Sequence, residues 1–400
     1  MANDFRYNLD DDQLRERDHP LVASCRLPGI AEAIGLRSAP SAAHELVRDT
    51  YLTNVCMAGE ADRALSYSRH RARYRMSRYR RSDFTYGNVT RVAADIVGTE
   101  LVTEDRTEPG VRGRQSTLKA TPELMALWSN IGRDPIYDGS AETIILKSRD
   151  EDRRLLEYVD TPAVRAMRDD LRPINEMFAS MDVEVPGGKE IANGLLLFER
   201  HGKDKDGRPV IKRHHVRLSQ KTGRRIFAEQ FNRNLHGRLY VAFQNIPSAA
   251  RKTMRINGEA CIELDFEAMH PTLAYNEAGV RMDDQPYALG RGITRNEAKL
   301  GLLIGFNADD RLSAARALVR DDDELQIPYH QAVKIIDAVF ERHDPIRRML
   351  CTDTGIKFMN IDSRITVGAM KALVARGIPV IGVHDSLIVP LVLRARPARK

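Results

Sequence analysis

Two aspartates each end or interrupt an apolar run. Asp265 closes EACIELD, and Asp385 sits in VHDS, between GIPVIG and LIVPLVL. Runs of Val, Ile and Leu around a short polar break read as strand, turn, strand, yet the tip lacks the Asn-Gly or Asp-Gly pair of a tight hairpin. A carboxylate there needs a reason other than turn chemistry. A third stretch, ITRNEAKLGLLIGFN, places Arg295 and Lys299 four apart, on one face near the positive amino end of a helix. Two carboxylates from separate β-elements suit a pair of divalent metals about 4 Å apart, one activating a hydroxyl and the other stabilising a leaving oxygen. Mg²⁺, with Mn²⁺ as a substitute, fits because it takes further oxygen ligands from phosphates and water. Arg295 and Lys299 supply charge to a departing pyrophosphate, and Lys299 can protonate it. The set therefore reads as equipment for phosphoryl transfer from a triphosphate. Singly, Asp265 is more often a strand-end turn residue, and Arg295 with Lys299 a solvated helix face.

The elements that must position these groups are legible nearby. Ile262 and Leu264 alternate along a strand that delivers Asp265, and Thr294 with Glu297 forms a capping box ahead of the Arg/Lys helix. Upstream, ETIILK reads as a strand followed by charged helices, and VEVPGG as a domain boundary. GLLLFERHGKDKDGRPVIKRHHVRLS reads as a hairpin with a basic tip over 203–208. Around 89–122 the order is helix, strand, Pro109-Gly110 tip, strand, then a helix after Thr121-Pro122. That order fits a winged helix, in which Arg112, Arg114 and the amino end of the first helix would face DNA. It fits equally an ordinary helix and hairpin packed on a larger domain. Just before it, the segment from Arg63 to Arg81 holds eight arginines, three tyrosines and no acid. Such a run, with Arg73 and Arg75 at its middle, can neutralise phosphates and stack on bases; the bland reading is a solvated face.

In this order the stretches resemble the palm and fingers of family A DNA polymerases and the related single-subunit phage and mitochondrial RNA polymerases. Gly237-Arg238-Leu239 and Gln244-Asn245-Ile246-Pro247 are similar to the G-R-L and Q-N-I-P segment ahead of the palm, with a shorter gap. LDFEAMHPTLAY is similar to motif A, Arg295 and Lys299 to motif B, and VHDS to motif C. The resemblance covers about residues 225–395 and implies an α+β right-hand palm and fingers. It implies that Asp265 and Asp385 bind two metal ions and that Arg295 and Lys299 grip the triphosphate. Arg238 and Gln244 would touch the nucleic-acid backbone, and His384 the primer terminus. His270 stands where the family has its sugar-gating glutamate, Phe306 near a motif B aromatic that stacks on the incoming base, and NIDSRI where a Gln-Gly helix start is usual. Asp362 in that stretch reads best as an N-cap. The expected organisation is a nucleic-acid-binding region over 1–135, a connector, thumb-like, over 136–225, and palm and fingers over 226–400.

At 400 residues, 42% apolar and 30% charged, the chain has an ordinary globular balance with net charge +6. No apolar run approaches the roughly 20 residues that span a bilayer. The polar, acidic start is unlike a signal peptide, so a soluble, cytoplasmic chain with no membrane partner is expected. Four scattered cysteines argue against a disulfide framework or structural zinc. No acidic exonuclease set stands out in 1–225. The expected partners are a DNA primer–template and nucleoside triphosphates. RNA synthesis or priming, and a non-catalytic DNA-binding regulator built on the same fold, stay open as alternatives.

Overall fold

The computed structural model describes residues 19–107, 115–137, 141–149, 154–192, 194–203, 208–228, 235–320 and 327–391. It is a mixed, mostly antiparallel α+β chain with three hydrophobic cores. The first core lies between Cys25 and Trp128. Helix α1 (Ala42–Glu60) runs through it, followed by β1 (Leu65–Tyr67), α2 (Tyr86–Val97), β2 (Val102–Asp105), β3 (Ser116–Ala120) and α3 (Pro122–Ile131). Strand β3 pairs antiparallel with both β1 and β2, giving the expected helix, strand, strand, helix order. Ser41, Thr85 and Thr121 each cap a helix by accepting a bond from the third backbone N–H. Arg112 and Arg114 lie outside the described residues, as does most of the expected wing tip.

The second core redraws the expected boundary near 225. It joins β4 (Ile144–Lys147), α4 (Pro162–Ser180), β5 (Val183–Glu184), β6 (Leu195–Lys203) and β7 (Pro209–Arg217) to the carboxy-terminal strands. Strand β8 (Arg224–Ala228) pairs parallel with β4 and antiparallel with β9 (His236–Tyr240), so residues before and after 225 share one sheet. At the expected break Gly187 is exposed, while Gly188 is half-buried against Phe198, whose ring a Cβ on Gly188 would meet at 2.9 Å. The hairpin of β6 and β7 forms as expected, from Leu195 opposite Arg217 to Lys203 opposite Pro209.

A five-stranded sheet carries both aspartates. Strand β10 (Arg255–Ile256) turns into β11 (Glu259–Asp265), and β12 (Ile381–Val383) turns into β13 (Ser386–Pro390), which lies between β11 and β12. The third core holds the helices inserted between these strands: α5 (Met269–Ala278), α6 (Arg295–Asn307), α7 (Arg311–Arg320), α8 (Tyr329–Arg342) and the front of α9 (Gly355–Ala375). The expected strand forms at β11 and ends on Asp265. Ile262 and Leu264 on this strand are 41% and 51% exposed.

Candidate active site

The register of β11 against β13 sets the site. Asp265 stands opposite Ser386, and the Phe266 N–H donates to the Asp385 carbonyl at 3.2 Å, so the strand end and the hairpin tip are stitched together. The tip consists of His384 and Asp385 alone, since Val383 pairs with Ser386. His384 takes φ 54°, a left-handed conformation that costs a non-glycine residue energy. Burial and then the Asp385 carboxylate push Asp265 above the ordinary carboxylate range, with the Lys299 ammonium pulling the other way. Those interactions bring Asp265, Asp385 and Lys299 into one electrostatic neighbourhood. Among the described residues neither aspartate is in an ion pair.

A third carboxylate nearby is already engaged. Glu263 forms a two-point bond with Arg251, at 3.0 Å to each oxygen, and accepts the Ser386 hydroxyl at 2.7 Å. Burial opposes its charge, but Arg251 and Ser386 outweigh burial and hold it below the usual range. Among the described residues no group of three or more His, Cys, Asp or Glu is arranged as a closed metal cage. The open pair Asp265 and Asp385 instead fits a hard divalent cation that draws its other oxygens from substrate and water. The mutual repulsion that raises Asp265 is what such a cation would relieve.

Helix α6 presents the basic face. Its capping box is complete: Thr294 Oγ1 accepts from the Glu297 N–H at 3.3 Å, and Glu297 accepts from the Thr294 N–H at 2.7 Å. Arg295 is 62% exposed, 3.7 Å from Glu267 and 5.2 Å from the centre of the Tyr287 ring. Tyr287 is half-buried, and burial raises its hydroxyl, with Arg295 lowering it and Asp385, Glu267 and Asp265 adding to the rise. Tyr287 and Glu267 thus belong to the site. Sequence reasoning missed them because Tyr287 lies in a loop, QPYALG, whose only signal is an aromatic among turn residues.

Five expected readings are revised. Phe306 is fully buried and meets Phe358 edge-on at 5.3 Å, so it is a core residue with no face for a base. His270 is 8% exposed, and its Nε2 lies 2.9 Å from Asp362, which removes it from the surface where a sugar gate must stand. Arg238 is turned inward to the same carboxylate through Nε and Nη2, so its guanidinium is not free for a phosphate. Gln244 spends its amide N–H groups on the carbonyls of Leu239 and Gly382, at 2.9 and 2.8 Å, tying β9 to β12. Asp362 itself is no N-cap. It lies inside α9 with no exposure, anchoring Arg238 and His270.

That buried trio borders the site. The Arg238 charge, opposed by burial, is held by Asp362 and also senses Asp385. His384 keeps more than a third of its surface exposed, yet the protein packed around its ring and the Arg238 charge lower its basicity. Exposure softens that shift, and the direction favours a neutral imidazole beside Asp385. Gly237 is required here on two counts: its φ is 87°, and a Cβ would meet the Phe227 ring at 2.4 Å. With Gly237 in place, α9 docks on β9 through Asn360 and Ser363, which donate to the His236 and Gly237 carbonyls at 2.8 and 2.7 Å.

The arginine run of the first core is partly neutralised from within. Arg69 bonds Glu104, and Arg78 bonds Glu157 and Asp160 while lying 3.6 Å over the Tyr158 ring. Arg71, Arg73 and Arg75 stay exposed. No protein-family model, no curated protein and no solved structure matches the chain.

Proposed function

We propose that the chain is a template-directed nucleotidyltransferase, a small DNA polymerase of the right-hand type without a proofreading exonuclease. The observation that carries this reading is the convergence of Asp265 and Asp385, from distant strands, at one sheet end facing the Arg295 and Lys299 helix. Two Mg²⁺ ions held by those aspartates would supply activation of the attacking hydroxyl and stabilisation of the leaving oxygen. The chain's own groups do the rest. Asp265 and Asp385 hold the reacting phosphate's cations, and Arg295 fixes the triphosphate through its planar fork. Lys299 stands near enough to sense Asp265 and delivers a proton to the departing pyrophosphate. Neutral His384, at the tip, packs where a primer end would rest. A non-catalytic scaffold would have no use for a second carboxylate placed where it repels Asp265 and raises its proton affinity.

Primer extension tests the proposal, using a templated primer with deoxy- and ribonucleotides offered separately in Mg²⁺. Template-ordered products are expected, falling by more than about 100-fold in Asp385→Asn, the usual order for losing one electrostatic group at a reacting centre. Absence of extension with either nucleotide type in Mg²⁺ or Mn²⁺, while DNA binding persists, would overturn it.

A further inference from the structure

Outside the site just described, the arginine run folds around a small pocket. Arg75, Arg80, Arg81, Tyr74, Ser82 and Thr85 line a space of about 80 Å³. That is far below the roughly 300–1,000 Å³ that encloses a whole small molecule, and it suits a single compact group. Its walls are unbalanced in charge. Arg81 has the Asp83 carboxylate at 3.5 Å, but among the described residues Arg75 and Arg80 have no acid in ion-pair range. Arg80 is half-buried, bonded only to the Arg75 carbonyl at 3.3 Å and set 5.6 Å from the centre of the Tyr74 ring. Burial lowers its hold on its proton, the Tyr74 hydroxyl counters this, and the neighbouring Arg73 charge adds to the lowering. Elsewhere in the same run the fold supplies acids for Arg69 and Arg78, so the lack of them here is local. Thr85 also caps α2, whose amino end favours negative charge.

We infer that this pocket binds the 5′-terminal phosphate of a nucleic-acid strand. A terminal phosphate carries close to two negative charges at neutral pH, matching the Arg75 and Arg80 guanidinium groups, which have no acid in ion-pair range among the described residues. A strand is favoured over a free phosphate because the rim continues beyond the pocket. Met76 is 77% exposed beside it, offering an apolar face to a base, and Arg71 and Arg73 are exposed for the next phosphates.

Fluorescence anisotropy of the full chain tests this without nucleotides or divalent metal, so the outcome does not depend on polymerase activity. Two single-stranded oligonucleotides of one sequence, labelled at the 3′ end, differ only in a 5′-phosphate or a 5′-hydroxyl. The phosphorylated strand is expected to bind about tenfold tighter, the worth of one charge-assisted hydrogen bond. Inorganic phosphate should erase the difference, as should Arg80→Gln and, at an exposed position where folding is not at stake, Arg75→Gln. Equal affinity of the two strands for the wild-type chain overturns the inference. So does a preference that survives both substitutions, or a phosphoserine peptide that competes as well as the phosphorylated strand.

Discussion

Asp265 is held at a cost that the proposed chemistry would explain. Burial and the Asp385 charge raise its proton affinity above that of an unfolded chain. The folded protein therefore binds this proton more tightly, and stability declines as pH climbs from the unfolded value of about 3.9 through the raised one. At neutral pH the penalty is fully present. Asp265→Asn is expected to raise the thermal midpoint slightly at pH 7 while abolishing extension, and to lose that advantage below about pH 3.9. Because the carboxyl is largely exposed, solvent screening keeps the gain small. A melting series from pH 3 to 8 reads this directly; a variant less stable at pH 7 would contradict it. At the same scale, the proposed function would put sugar selection at Tyr287 and not at His270. With His270 buried against Asp362, His270→Ala should reduce stability and total activity but leave the ratio of deoxy- to ribonucleotide use unchanged. Tyr287→Ala, beside both carboxylates, should shift that ratio, measured in paired single-nucleotide extensions.

Two helices decide whether the charged residues meet. Helix α6 can lie close to α8 only because position 301 is glycine: a Cβ there would stand 2.5 Å from Ile335 Cγ2, on a branched chain with little room to turn. Gly301→Ala is expected to cost about 1–3 kcal/mol by overpacking and to tilt Arg295 and Lys299 away from the aspartates. Urea unfolding and the Michaelis constant for nucleotide would both respond. Helix α9 is seated by the buried Asp362 under Arg238 and His270. Removing one partner of a buried pair strands the other charge, so Asp362→Ala should lose about 3–5 kcal/mol, with Arg238→Met in the same chain restoring part of it. This is also where sequence reading reaches its limit. The hairpin tip, the strand end and the capping box are local patterns, and all three form as the residues suggest. Arg238, Asp362 and His270 meet only after three separate elements pack, so a guanidinium that looked free and a histidine that looked like a gate are both committed to one carboxylate. Phe306 misled for a related reason: an aromatic on a helix suits a core and a binding face equally until the neighbouring Phe358 is known.

Across the whole molecule, the first core is joined to the second at more than one place, through Arg78 on Glu157 and Asp160 and through a buried contact at Glu60. Glu60, at the end of α1, accepts from both Arg217 on β7 and the Trp128 indole, with Arg217 only 8% exposed. The exposed arginines of the first core are therefore tied to the body that carries the aspartates, and charge on one can act on a strand held by the other. Among the described residues no helix is long and apolar enough to cross a membrane. Neutralising Arg71, Arg73 and Arg75 together should weaken binding of single-stranded DNA and make it less sensitive to salt. If all three meet phosphates, the slope of log affinity against log salt should flatten by about 2, from roughly 0.7 per phosphate contact. Binding measured from 50 to 300 mM salt, compared with Arg69→Gln, separates contact from mere net charge. Arg69 is already paired with Glu104, so its loss should leave the slope nearly unchanged. Identical slopes for the wild type and the triple variant would mean that the first core serves the fold and not the strand.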